Sequence, residues 1–198
     1  PRIVKEARKL KEISYDEILE LTSMGSQVLQ SRSVEVAKKY NVPVYVCSSF
    51  SKREGTMIIK EVKKMEGVLV SGITLDKNEA KVTICDVPDR PGIAAKIFKE
   101  IAGENINVDV IVQNISHTGV TDISFTVNKT DLDRAIRVVK KITPKVKAGS
   151  VIYDKDIAKI SVVGVGMRSY PGVAAKMFGA LGKNKINIEM ISTSEIKI

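Results

Sequence analysis

Pro91-Gly92 and Pro171-Gly172 each stand between a strand-like apolar run and an apolar-striped helical run. A helix starting there presents free backbone N–H groups and a partial positive charge, which together suit a small anion such as a carboxylate. Glycine at 92 and 172 leaves the approach unobstructed. Asp89, Asn107, Asp109 and Gln113 beside the first start, and Asn187 and Glu189 beside the second, offer acceptors for an ammonium group. A carboxylate cradle beside an ammonium acceptor is the chemistry of a free amino acid. The same residues permit a plainer reading, in which Pro-Gly only opens a helix and the asparagines only close one.

Other chemistries fit less well. Gly164-Val165-Gly166 after a strand resembles a dinucleotide fingerprint, but the third glycine is out of place and Pro171 opens the helix too late. His117 is the single histidine, in a predicted turn, so no Ser/His/Asp or Cys/His constellation is expected, and no transition-metal site. No phosphate-binding loop sequence is present. Cys47 and Cys85 lie in separate apolar runs and are expected to be buried, reduced thiols.

The two starts belong to a repeat. PGIAAKIFKEIAGENINVDVI (91–111) and PGVAAKMFGALGKNKINIEMI (171–191) share nine identical positions at an offset of 80 residues. One supersecondary unit present twice is the expected cause. Around the first copy, Ala80–Cys85 alternates as a strand, Asp86–Arg90 is a turn, and Pro91 suits the first helical position. Ala94, Ala95, Ile97, Phe98 and Ile101 then give a helical stripe. Asn105 ends that helix. Residues 106–115 and 120–127 are strands around a turn at 117–119. Thr130 with Asp133 caps a second helix whose C-terminal end carries Lys140 and Lys141, and 151–153 is a closing strand. The order β-α-β-β-α-β is the ferredoxin-like unit. In the second copy AKISVV (158–163) mirrors AKVTIC (80–85), the turn 164–170 is two residues longer, and the sequence stops after a helix and a strand.

Upstream, residues 1–12 are basic. Ser14 with Glu17 reads as a capping box, and Ile13 with Ile18 as a hydrophobic staple. A second helix is expected from about 26 to 40, stopped by Asn41 and Pro43, then a strand in VPVYVCSSF. Residues 51–67 read as a charged connector and 67–76 as a further strand. The N-terminal 60 residues look like the end of an α/β layer without a complete sheet of their own. The start at Pro1 and the unfinished second copy both suggest a portion of something longer.

Composition adds bounds. With 43% hydrophobic and 28% charged residues the chain is an ordinary globular one. No apolar run approaches a membrane helix and the basic start is no signal peptide, so no membrane and a cytoplasmic location are expected. A net charge of +9 raises a nucleic-acid partner. Lysines outnumber arginines 24 to 8, aromatics are 5%, and only Phe125 lies on the first copy's central strands, so base-stacking platforms are scarce and no nucleic acid is expected.

DRPGIAAKIF…NINVDVIVQNIS and YPGVAAKMF…NINIEMISTSEI resemble the paired ACT domains, amino-acid-sensing modules, of the aspartate kinase family. Pro1-Arg2-Ile3-Val4, Met24-Gly25 through Arg32-Ser33-Val34-Glu35, and Val42-Pro43 through Phe50 resemble the end of that family's catalytic domain. The implied fold class is mixed α/β and α+β. Residues 1–60 would be the C-terminal piece of an amino-acid-kinase domain, 61–155 a first ferredoxin-like ACT domain with its connector, and 156–198 a second, truncated one. The family phosphorylates the β-carboxylate of L-aspartate with MgATP, the first step toward lysine, threonine and methionine. No catalytic residue is expected in this stretch, which alone would be inactive and hold no cofactor.

By resemblance, Asp89, Arg90, Gly92, Ile93 and Ala94, and Tyr170, Gly172, Val173 and Ala174, fall on effector-binding loops. Asn107, Asp109 and Gln113, with Asn187, Ile188, Thr193, Ser194 and Glu195, line the effector sites. Glu189, from the residue reading, joins them. Arg2 matches an arginine near the nucleotide, and Gln27 stands where many members have lysine. The implied effectors are lysine and/or threonine, at sites between ACT units of a homodimer. Family members also lend strands between their two ACT units. A stand-alone, non-catalytic regulatory subunit is the alternative, and residues 1–50 speak against it.

Overall fold

The computed structural model describes residues 4–62, 70–114, 119–169 and 172–198. The chain forms two compact units, residues 1–75 together with 160–198, and residues 76–159.

The second unit contains β5 (Glu79–Pro88), α3 (Ile93–Gly103), β6 (Val108–Gln113), β7 (Val120–Asn128), α4 (Leu132–Val146) and β8 (Val151–Asp154). Its antiparallel sheet has the order β6-β7-β5-β8, the ferredoxin-like arrangement expected from the sequence. Alternation drives it. Val82, Ile84, Ile123, Phe125 and Val127 point to one face and meet Ile97 and Ile101 of α3 and Ala135 and Val139 of α4. All nine are 0–1% exposed. Phe125 packs edge-on to Phe98, ring centroids 5.6 Å apart. A fully buried Phe125 offers no stacking face to a nucleic acid.

Local details differ from the sequence expectations. β5 does not end at Cys85. It runs on to Pro88 across a bulge between Ile84 and Val87, where Asp86 adopts φ 52° and its N–H donates to Asp122 Oδ1 at 3.0 Å. Pro91 is not the first helical residue; α3 starts at Ile93 with Gly92 as its N-cap. Asn128, not Thr130, caps the next segment, accepting from the Thr130 N–H at 3.0 Å and ahead of a short 3-10 turn at Lys129–Asp131. Lys140 and Lys141 are not terminal, because α4 continues to Val146 with Ile142, Thr143 and Val146 still on its buried stripe. The turn expected at 117–119 falls mostly outside the described residues.

The first unit opens with β1 (Glu12–Ser14), α1 (Tyr15–Ser23), α2 (Ser31–Tyr40), β2 (Val44–Val46) and β3 (Thr56–Ile59). The Ser14/Glu17 capping box is present, and Ile13 and Ile18 are both buried. α2 is shorter than expected and stops at Asn41, in the left-handed region at φ 52°. The expected connector contains β3, the central strand of a β1-β3-β2 sheet, with Ile58 only 1% exposed. Cys47 is exposed rather than buried, since it follows β2 on the edge of this small sheet, and Cys85 is half-buried.

β4 (Gly72–Asp76) precedes the ferredoxin-like unit and β9 (Lys159–Val163) follows it, and the two pair with each other. The 76–159 unit is therefore inserted between paired strands, instead of one complete unit being followed by another. A 3-10 turn (Val165–Ser169) and α5 (Val173–Lys183) come next. The chain then returns to β9 through a bridge between Val163 and Lys197. Among the described residues, no regular strand forms after α5.

Phe125→Ala removes the largest fully buried side chain of the inserted unit. It should destabilise that unit by about 3–5 kcal/mol, read from chemical denaturation of the protein followed by circular dichroism.

Candidate functional site

The two helices after the Pro-Gly pairs are structural duplicates. α3 and α5 are each 11 residues long, and their N-caps are Gly92 (φ 85°) and Gly172 (φ 99°). A Cβ added at either glycine would meet nothing within 4 Å. Backbone conformation, not crowding, is what requires glycine there. No side chain caps either helix. In α3 the Ile93 N–H donates to the Arg90 carbonyl at 3.4 Å and the Lys96 N–H to Gly92 at 3.1 Å. Helix geometry leaves the Ala94 and Ala95 N–H groups without intrahelical acceptors. The loop is fixed from behind by the Asp89 N–H, which donates to the Gly119 carbonyl at 3.0 Å. Exposed Asp89 and Arg90 border it, and Ile93 and Ala94 are half-buried against the core.

Strand register sorts the expected acceptors. Pro88 opposes Val120 and Gln113 opposes Ile123, so Gln113 and the Asp89 loop share one end of the sheet. Val108 opposes Val127, which places Asn107 and Asp109 at the other end. An 11-residue helix spans roughly 16 Å, and α3 is what separates Gly92 from Asn107. Within one copy, Asp109 cannot face a ligand held at Gly92. The cradle read from the sequence therefore divides, with Asp89 and Gln113 remaining beside it and Asn107 and Asp109 leaving it.

Asp109 also has a partner already. Its carboxylate pairs with the Lys159 ammonium, which pairs in turn with Glu79 at 2.8 Å. Burial lowers the Lys159 pKa, but hydrogen bonds and charge attraction from Asp109 and Glu79 outweigh it and hold the ammonium above its ordinary value. For Glu79 burial dominates and raises the carboxyl, with Lys159 pulling it partly back. Both groups are therefore pushed up, which favours the charged ammonium and disfavours the charged Glu79 carboxylate, as expected where two carboxylates share one ammonium. Lys159 was not expected at a site; the signal for it is a lone lysine opening the apolar run KISVV.

In the second copy Gly172 is exposed and Val173 and Ala174 are half-buried. Asn187 donates from Nδ2 to Glu189 Oε1 at 3.1 Å, and Ile188 is half-buried. Thr193, Ser194 and Glu195 are exposed on a tight turn closed by the Ser194 N–H to the Lys197 carbonyl at 3.0 Å. Tyr170 lies outside the described residues. So does Arg2, and Gln27 is exposed between α1 and α2.

Glu17 does more than cap α1. Ser14 donates to Oε2 from its N–H (3.2 Å) and Oγ (2.7 Å), while Ser71 Oγ and the Val165 N–H (3.2 Å) donate to Oε1. Burial raises this carboxyl, but the bonds from Ser71, Ser14 and Val165 outweigh it and hold the pKa below its ordinary 4.5. Among the described residues no group of His, Cys, Asp or Glu has the arrangement of a metal site, and no helix is long and apolar enough to cross a membrane.

Two stability predictions follow from these carboxylates. Lys159→Ala leaves Glu79 and Asp109 without their cation and should cost about 3 kcal/mol in denaturant unfolding. For Glu17 the folded pKa is depressed, so its contribution is complete above pH about 4.5 and fades as pH falls through the folded value. Glu17→Gln should flatten the fall of Tm between pH 5 and about 3.

Comparison with known proteins bears on the family of the chain. A family model described as ACT domain matches residues 86–142 and 160–198, and one described as amino acid kinase family matches residues 1–48. The aspartate kinase of Pseudomonas fluorescens is 52% identical over the whole chain, which spans 48% of that protein. The chain thus spans about half the length of the curated relatives it matches. The solved regulatory subunit of aspartate kinase from Thermus thermophilus is 40% identical, covering 65% of this chain and 85% of that one, with a TM-score of 0.61. The Clostridium acetobutylicum aspartate kinase covers 100% of this chain and 46% of its own, at 26% identity and a TM-score of 0.87. With a kinase-type segment at its N-terminus and a duplicated ACT pattern behind it, the chain belongs to the aspartate kinase family.

Proposed function

We propose that this chain is the feedback-sensing portion of an enzyme that transfers the γ-phosphoryl of MgATP to the β-carboxylate of L-aspartate. Lysine and/or threonine would be the sensed amino acids. The observation that carries the reading is the duplicated helix start, in which two uncapped helices open on left-handed glycines 80 residues apart. In the first copy the effector carboxylate would sit on the Ala94 and Ala95 N–H groups, with Asp89 and Gln113 nearest its ammonium. Asn107, Asp109, Asn187, Ile188, Glu189 and Thr193–Glu195 would line sites completed between ACT units, in a homodimer.

Sensing requires an effector that binds two states of the enzyme with different affinity; equal affinity shifts nothing. A non-catalytic regulatory subunit is the second reading, favoured by the likeness to the Thermus thermophilus subunit. Residues 1–48, matched by the amino acid kinase model, favour the first.

Lysine or threonine should raise the Tm of the full-length protein that carries this chain, by the equivalent of about 2.7 kcal/mol at a hundredfold excess over Kd. Asp89→Ala and Ser194→Ala, made separately, should weaken the response to different effectors or to different degrees. Absence of any Tm shift with either amino acid, alone or combined at millimolar concentration, would sink the assignment.

A further inference from the structure

We infer that the Glu17 carboxylate couples the loop opening the second repeat to α1 of the kinase-type segment, as a positioning residue for feedback control. The inference rests on the regulatory reading above. A capping box needs only the exchange between Ser14 and Glu17, which uses Oε2. Oε1 is surplus to that purpose, and it receives Ser71 and Val165. One side chain, 3% exposed, thus ties three segments that the sequence keeps far apart. They are the start of α1, the approach to β4, and the turn that leads to Gly172. All three lie in the same compact unit.

The geometry makes this joint discrete. The Ser71 N–H donates to the Val163 carbonyl at 2.7 Å, so residue 71 and the 163–165 segment are held together as they meet Oε1. A buried carboxylate oxygen that loses a donor has no water to replace it, so a shift of Val165 produces an alternative arrangement of bonds instead of a gradual stretch. Elsewhere the turn and α1 are not packed solid. Val165 borders an open cleft of about 340 Å³ whose other walls include Asp16, Leu19 and Glu20 of α1, with Lys38 and Ile196. Beside this cleft the Glu17 carboxylate ties the turn directly to the helix. An effector settling on the Gly172 helix start acts on the turn immediately before it, and through Glu17 on the position of α1.

The test uses the full-length enzyme. Ser71→Ala removes one donor to Oε1 and keeps the Ser14 box; Glu17→Gln removes the charge; Ser71→Thr restores a hydroxyl. For each variant, kcat and KM are measured without effector, then half-inhibitory concentrations and Tm shifts with lysine and threonine. Ser71→Ala should keep its uninhibited kcat and KM and its effector-induced Tm shift. Its half-inhibitory concentration should rise about fivefold or more, and Ser71→Thr should restore it. Glu17→Gln should lose more of the inhibition. Inhibition curves for Ser71→Ala that superimpose on those of the unsubstituted enzyme overturn the inference, even if Glu17→Gln fails to fold. An unsubstituted enzyme that shows neither inhibition nor a Tm shift refutes the regulatory reading itself, and this inference with it.

Discussion

The pairing of β4 with β9 is the constraint on which the rest depends. These strands are separated in sequence by a whole folded unit, and joining the ends of so long a flexible segment is entropically costly. The insert removes most of that cost by its own fold. In its sheet β5 and β8 are antiparallel neighbours, with Lys81 directly opposite Asp154. The insert therefore enters and leaves at one end of one sheet. The Lys159–Glu79 pair sits at this place, with both side chains largely buried. A ferredoxin-like unit is well suited to insertion because its first and last strands lie side by side.

Duplication in sequence has produced equal helices in unequal settings. Each copy has a left-handed glycine at its start, an 11-residue helix, and a left-handed residue two positions beyond its end, Asn105 (φ 55°) and Lys185 (φ 57°). Ile97 and Ile101 of α3 are fully buried, whereas α5 has no buried residue among those described. Ile106 is 4% exposed and its counterpart Ile186 is 52% exposed. The helices are alike, but only α3 is packed into a buried core among the described residues.

Local signals were legible in the sequence to the extent that their causes were local. Ser14 and Glu17 are three apart, and the box forms. Asn41 is followed by a β-run, and α2 ends there. The β-α-β-β-α-β order is readable from periodicity because each element packs on its neighbours in sequence. β3 was not legible: TMII is four residues in a charged stretch, and it becomes a central strand only because β1 and β2 flank it. The insertion was invisible for the same reason, since no local feature of Gly72–Asp76 names β9 as its partner. The grouping of Asp109 with Gly92 failed on length. Closeness in sequence suggested one site, and the intervening helix carries the two to opposite ends. Glu17 Oε1 shows the limit most clearly, because its donors lie at residues 71 and 165.

If both helix starts bind an effector, as proposed, the asymmetry between the copies gives the two sites different tasks. A helix start held on a filled core presents its N–H groups already aligned, so a carboxylate binding there orders little. That is the setting of α3, with Asp89 bonded behind the loop and Ile93 and Ala94 against the core. α5 presents the same N–H groups on a helix with less beneath it. If an effector binds there, as proposed, it does so on a helix with no buried residue among those described to hold it in place. What is lost in affinity is available as coupling, because a ligand that orders a segment changes whatever that segment touches. The preceding turn touches Glu17. On this argument the proposed first site would be the better binder and the proposed second site the better transmitter, a division that two identical sites could not provide.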